Sequence, residues 1–155
     1  MYLTFDLPDE AATEQMARRL ASVISAPLVL GFSGEIGAGK TTFIRAMLRS
    51  LGISGAIKSP TYALVESYII NDLHIHHFDL YRIQEDEELD YIGFRDYFTS
   101  PSVCCIEWPE RIQKGLDCID MQLTLTMKGM GRELQVHATS EKACHVLSLL
   151  PGMIL

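Results

Sequence analysis

"GFSGEIGAGKTTF", residues 31–43, sets Gly34, Gly37 and Gly39 beside Lys40, Thr41 and Thr42, directly after the apolar run "PLVL". Gly34, Gly39, Lys40 and Thr41 satisfy the spacing G-x-x-x-x-G-K-[ST]. A triphosphate carries several negative charges that must be met by donors closer than most side chains can approach. Residues without a Cβ let the backbone curl so that successive amide N–H groups point inward. The helix that follows adds its free N-terminal amides and the positive end of its dipole. Lys40 has the length to reach the β and γ oxygens, and Thr41 offers a hydroxyl to Mg²⁺. The apolar run before the loop reads as a strand and the residues after it as an amphipathic helix, the context a phosphate cradle requires.

Working outward, "PLVLGF" is short and continuously apolar, the pattern of a central strand covered on both faces. The helix after the loop is expected from about Lys40 to Leu51, with Gly52 at its exit. Upstream, "YLTF" reads as a short strand and "LPDEAATEQMARRLASVI" as a helix. Pro8 and Asp9 mark that helix's entry, and Ala12, Met16, Leu20 and Val23 form its apolar stripe. Downstream, "YALVESYII" and "LHIHHFDL" flank Asn71-Asp72 and predict an antiparallel hairpin. An acidic helix is expected over "EDEELDYIGFRDYF", then a buried strand "SVCCIEW" that Pro109 interrupts. Ile119, Met121, Leu123, Leu125 and Met127 alternate with Asp120, Gln122, Thr124 and Thr126. "KGMGRE" then turns the chain, Leu134, Val136 and Ala138 return, and "SEKACHVLSLL" closes as a helix. The sum is an α/β chain, expected to form one P-loop NTPase-like three-layer domain over residues 1–155 with a mixed sheet that includes antiparallel hairpins.

Bulk properties narrow the setting. A chain of 155 residues can bury roughly 70% of its unfolded surface, enough for a substantial core. Its longest apolar stretch is too short to cross a bilayer, and its start lacks a basic, apolar signal, so a cytoplasmic protein is expected. Cys104, Cys105, Cys118 and Cys144 have no disulfide-framework or zinc-ligand spacing and read as reduced, buried thiols, with a redox role as the alternative. Cys104 and Cys105 should point to opposite faces of one strand. The net charge of −7 advertises no basic face for gripping nucleic acid, so in an RNA pathway a partner would hold the RNA.

Hydrolysis needs a magnesium partner and something to position water. Asp79 ends "HIHHFD" and Glu107 ends "VCCIE", and in such sheets the strand carboxyl ends gather beside the nucleotide. "VCCIE" is the more apolar and so the better neighbour for the loop's own strand. Glu107 is therefore assigned to magnesium and Asp79 to the water network at the γ-phosphate. His74 and His76 share a face and His77 points the other way; H-x-H can hold zinc or copper, but no third ligand closes such a site, and all three read as ordinary strand histidines. Trp108 reads either as core filling or as a neighbour of the nucleotide. Arg82, Arg111 and Arg132 are candidate phosphate or partner contacts, or simply solvated. "EDEEL" is a solvated helix face or a partner surface.

With these residues laid out, the chain resembles the TsaE (YjeE) family, small bacterial ATPases of tRNA threonylcarbamoyladenosine biosynthesis. "GEIGAGKTT", "KSPTYALVESY", "HHFDLYRI", "EELDYIGFRDYF" and "IEWPERI" carry the likeness, in that order, from about residue 9 to 112. The resemblance implies slow ATP hydrolysis and work beside a TsaD-type catalytic subunit and a TsaB-type companion. Those partners install the threonylcarbamoyl group on N6 of tRNA adenosine 37, and the ATP cycle resets the complex. Contact with tRNA would be indirect, with no role for DNA or membrane. The family pattern assigns Gly37, Ala38, Gly39, Lys40, Thr41 and Thr42 to the triphosphate, Thr41 and Glu107 to magnesium, and Asp79 to activity. Glu10, in "PDEAAT", falls near the base or ribose, and Arg132, in "GRE", is a further nucleotide contact. Ile36 departs from the leucine common at that place. The rival reading from the residues alone is a small-molecule kinase, for which little chain remains to build a substrate pocket and an arginine-rich lid. Lys40→Ala is expected to weaken nucleotide binding or abolish turnover; normal affinity together with a normal rate would overturn the assignment of the lysine.

Overall fold

The computed structural model describes residues 1–112 and 116–152. Seven strands form one sheet: β1 (Tyr2–Leu7), β2 (Leu28–Ser33), β3 (Val65–Ile70), β4 (Leu73–Asp79), β5 (Val103–Glu107), β6 (Met121–Lys128) and β7 (Gly131–Ala138). Their order is β1-β7-β6-β2-β5-β4-β3. The four central strands, β6-β2-β5-β4, run parallel, and β7, β1 and β3 join antiparallel at the two edges. The apolar run before the glycine loop thus lies at the middle of the sheet, as its unbroken hydrophobicity predicts. The expected neighbour is also in place, since Leu28–Phe32 of β2 pair with Val103–Glu107 of β5.

Helices α1 (Glu10–Ala21), α2 (Lys40–Leu51) and α4 (Glu141–Ser148) share one core with β2, β6 and β7. Asp9 caps α1 by accepting the Ala12 N–H at 2.8 Å, and Ser140 caps α4 by accepting that of Ala143 at 3.1 Å. Helix α1 ends at Ala21, so Val23 packs against the core from beyond the helix. Gly52 exits α2 in the left-handed conformation, its N–H reaching the last turn's carbonyls. The opposite face of the sheet carries a smaller cluster of Phe78, Leu80, Ile83, Leu89, Phe94, Cys104, Ile106 and Ile112. Its cover is thin: α3 (Glu87–Asp90) and a 3-10 turn, Phe94–Phe98. The single acidic helix expected there is broken by Gly93, at φ 67°. The break allows Phe94, Tyr97 and Phe98 to set their rings against Phe78, at centroid distances of 5.1, 5.1 and 6.4 Å.

The hairpins form where expected. Asn71 and Asp72, at φ 48° and 66°, make the two-residue turn between β3 and β4. Strand β3 begins at Val65 and not at Tyr62, because Leu64 is left-handed and its N–H bonds back to Pro60. On β6, Met121, Leu123 and Leu125 are buried, but Met127 is half exposed, beyond the core and beside the loop at Gly37. Cys104 and Cys105 do face opposite clusters, and burial pushes the Cys104 thiol up to about 11. Cys118 departs from the expected burial and is exposed, Cys144 is half-buried, and none of the four is in a disulfide. Among the described residues no helix is long and apolar enough to cross a membrane.

One close approach ties the last hairpin to the first helix. A Cβ on Gly131 would lie 2.4 Å from the Leu7 carbonyl oxygen and 2.7 Å from Pro8 Cα. Gly131→Ala is expected to cost about 1–3 kcal/mol through forced backbone movement, read as a lower urea midpoint with an unchanged slope; an unchanged midpoint would contradict the contact.

Candidate functional site

The carboxyl ends of β2, β4 and β5 meet where the glycine loop leaves the sheet. The loop's glycines are needed for two different reasons. Gly34, at φ 142°, lies against β6, where a Cβ would sit 2.3 Å from the Leu125 carbonyl oxygen. Gly39, at φ 105°, is the residue before α2, and it brings no side chain to satisfy the helix's first amides. Those amides are therefore available to an anion. Lys40 is only 5% exposed. Its ammonium donates to the Gly34 and Glu35 carbonyls at 2.5 and 3.0 Å and lies 4.1 Å from the centre of the Trp108 ring. Burial lowers its pKa, while the charges of Glu107, Glu110 and Asp79 hold it up.

The two acids stand side by side, because Asp79 and Glu107 are register partners on β4 and β5. The Thr41 hydroxyl donates to Glu107 Oε1 at 2.8 Å. The two residues expected to share a divalent cation are thus already in contact. Asp79 Oδ1 accepts the Tyr81 N–H at 3.1 Å. Burial pushes its carboxyl above its ordinary value and the charge on Glu107 adds to the rise, against the Tyr81 hydrogen bond and the nearby His77 and Lys40. Trp108 is half-buried at the cleft and does not simply fill the core. It follows Glu107 in the left-handed region at φ 60°, a strained conformation for this residue type, and lines the cleft.

That cleft, about 380 Å³, gathers Gly37, Gly39, Lys40, Thr41, Thr42, Asp79, Glu107 and Trp108. Ile36, Ser59, Thr61, Tyr81 and Arg82 complete its wall. Arg82 was a candidate contact from sequence, and its guanidinium stacks 4.6 Å over the Tyr62 ring. Ser59 and Thr61, hydrogen-bonded to each other at 2.8 Å, lie in the "KSPTYALVESY" stretch and have no site role assigned from the sequence. A second cleft of about 230 Å³ on the other side of the loop is lined by Glu10, Gly37, Ala38, Thr42 and Arg132 among others. Arg132 is fixed there, donating to the Ala38 and Gly37 carbonyls at 3.0 and 3.1 Å. Arg111 lies over the Tyr81 ring.

The histidines divide. His76 pairs with the Ser67 hydroxyl at 2.8 Å and packs edge-on to Tyr97. His77 is not an ordinary strand histidine, for it is buried with its Nε2 2.7 Å from Glu107 Oε2. A signal for this existed: alternation along β4 puts His77 and Asp79 on one face.

A sequence model of the family described as "Threonylcarbamoyl adenosine biosynthesis protein TsaE" matches residues 7–136. The tRNA threonylcarbamoyladenosine biosynthesis protein TsaE of Haemophilus influenzae is 36% identical over 151 residues, covering 94% of this chain and 96% of that protein. The protein of the same description from Bacillus subtilis is 34% identical over 122 residues, covering 79% and 75%. In three dimensions the chain is similar to the crystal structure of Bacillus subtilis YdiB, with a TM-score of 0.80 at 23% identity over 97% of this chain and 94% of that one.

The raised pKa of Asp79 has a thermodynamic consequence. An acid whose folded-state pKa exceeds its unfolded value costs stability once ionised, and the cost disappears below the unfolded pKa. Asp79→Asn is expected to melt higher than the parent at neutral pH, with the gain vanishing near about pH 3, below the ordinary carboxylate range. An identical gain at both pH values would contradict the buried-carboxylate origin.

Proposed function

The chain belongs to the TsaE family of threonylcarbamoyladenosine biosynthesis proteins, and from that premise we propose that it binds Mg²⁺–ATP in the glycine-loop cleft and hydrolyses it slowly. The observation that carries this reading is the Thr41–Glu107 hydrogen bond beside a helix start that lacks a side-chain cap. A hydroxyl and a carboxylate are both oxygen donors, the set that a hard divalent cation takes together with phosphate oxygens and water. The open amides and the Lys40 ammonium suit the phosphates themselves.

In this scheme the amides from Gly37 to Thr42 and the Lys40 ammonium hold the triphosphate. To do so, Lys40 exchanges its two carbonyl partners for phosphate oxygens. Thr41 and Glu107 would hold Mg²⁺, which when bound draws charge from the β and γ oxygens. Asp79 lies on the strand next to Glu107 and orients the water that attacks the γ-phosphate. Glu10 and Arg132 flank the back of the loop, in reach of base or ribose. Trp108 shields the Lys40 side of the cleft.

No arginine approaches with its guanidinium unengaged among the residues named in the cleft, since Arg82 is stacked on Tyr62. A group supplied from outside can add 10³–10⁵ to such rates. Turnover is therefore assigned to a complex with TsaB- and TsaD-type subunits, in which ATP use resets the tRNA-modifying machinery and the partners hold the tRNA. The net charge of −7 suits that division of labour.

ATP titrated by calorimetry in saturating Mg²⁺ should release or absorb heat at one site per chain. ATPase should be slow for the isolated protein and faster with both partner subunits. Equal, fast rates with and without them would refute partner dependence, and no binding of ATP would refute the whole reading. A phosphorylated metabolite as product would point to the kinase instead.

A further inference from the structure

Glu107 is held from two sides. Thr41, on the cleft wall, donates to Oε1, and His77, which lines none of the cleft, contacts Oε2 from inside the sheet at 2.7 Å. The two side chains of the His77–Glu107 contact are 1% and 3% exposed, so water does not compete for it. The register explains the reach. His77 lies opposite Cys105, one alternate position before the Asp79–Glu107 pair, so the ring crosses diagonally to the neighbouring strand's acid. A carboxylate oxygen only accepts hydrogen bonds, so the shared proton belongs to His77 Nε2. His77 Nδ1 is buried and has no hydrogen-bond partner among the described residues, so the contact with Glu107 anchors the ring.

Resting on the Mg²⁺–ATP reading above, we propose that His77 is a positioning residue for Glu107, a donor that pins Oε2 so that Oε1 stays beside Thr41, where a divalent cation enters. The buried imidazole fixes the direction from which Oε2 is held. Without any donor, Oε2 would be a buried, unsatisfied acceptor, and the carboxylate would turn toward whatever donor remained. His77 makes no contact with the nucleotide in this arrangement and acts only through Glu107.

Two amide substitutions separate positioning from packing. The amide nitrogen of glutamine falls near the imidazole Nε2, and that of asparagine near Nδ1. Calorimetry would follow ATP affinity across a Mg²⁺ titration, and again in EDTA, for the parent, His77→Gln and His77→Asn. His77→Asn is expected to need about 10–100-fold more Mg²⁺ for half of the metal-dependent gain in affinity, with its affinity in EDTA unchanged. His77→Gln is expected to stay close to the parent. A parental Mg²⁺ dependence in His77→Asn, or an equal loss in both variants, overturns the proposal while Mg²⁺–ATP binding by the parent stands. If the parent's own affinity ignores Mg²⁺, the functional reading falls and takes this inference with it. A measurement on the parent alone needs no variant to fold: the ¹⁵N pattern of the His77 ring should show a proton on Nε2, and an Nε2 without one overturns the assignment.

Discussion

Everything at the cleft depends on mutual compensation among charges withdrawn from water. Lys40, Asp79 and Glu107 are all buried, and an isolated ion in such a place would cost several kcal/mol. Here each is held by specific partners. Lys40 has two carbonyls and an indole face, Glu107 has a hydroxyl and an imidazole, and Asp79 has a backbone amide. The set is balanced unevenly. One cation faces two carboxylates, and Asp79 carries a pKa raised chiefly by burial, with the charge on Glu107 adding to it. A site in that condition is electrostatically ready for a further positive charge, while the bare start of α2 is ready for a negative one. A metal–phosphate pair supplies both.

The sheet makes this concentration possible. Parallel strands end on the same side, so β2, β4 and β5 deliver the loop, Asp79 and Glu107 to one edge without any long loop. The antiparallel additions then serve the same edge. The hairpin β6–β7 brings Arg132 to the loop's outer carbonyls and Leu125 against Gly34. The segment ahead of β3 brings Ser59 and Thr61 to the opposite wall.

Local chemistry was legible in the sequence, and chemistry that depends on register was not. Gly34, Gly39, Lys40 and Thr41 announce themselves because their roles arise within eight consecutive residues. Glu107 could be read because "VCCIE" is apolar enough to demand the sheet's centre, which fixed its neighbour. His77 was passed over because its partner lies 30 residues away on another strand, and only the pairing of β4 with β5 brings them together. The acidic helix was over-extended because periodicity cannot register that three aromatic rings need Phe78 more than the helix needs continuity. Met127 kept the period of its strand but ran past the core, beside the loop at Gly37.

The central position of β2 also constrains the order in which the protein can be built during synthesis. β2 and the glycine loop are translated early, yet both strands that flank β2 belong to residues after 102. Arg132, which ties the loop's outer carbonyls, follows later still. A nascent chain leaving the ribosome therefore carries its glycine loop for most of its length without lateral support. The loop's surroundings become complete only when nearly the whole polypeptide is available, so shortened translation products are left with an unfinished cleft.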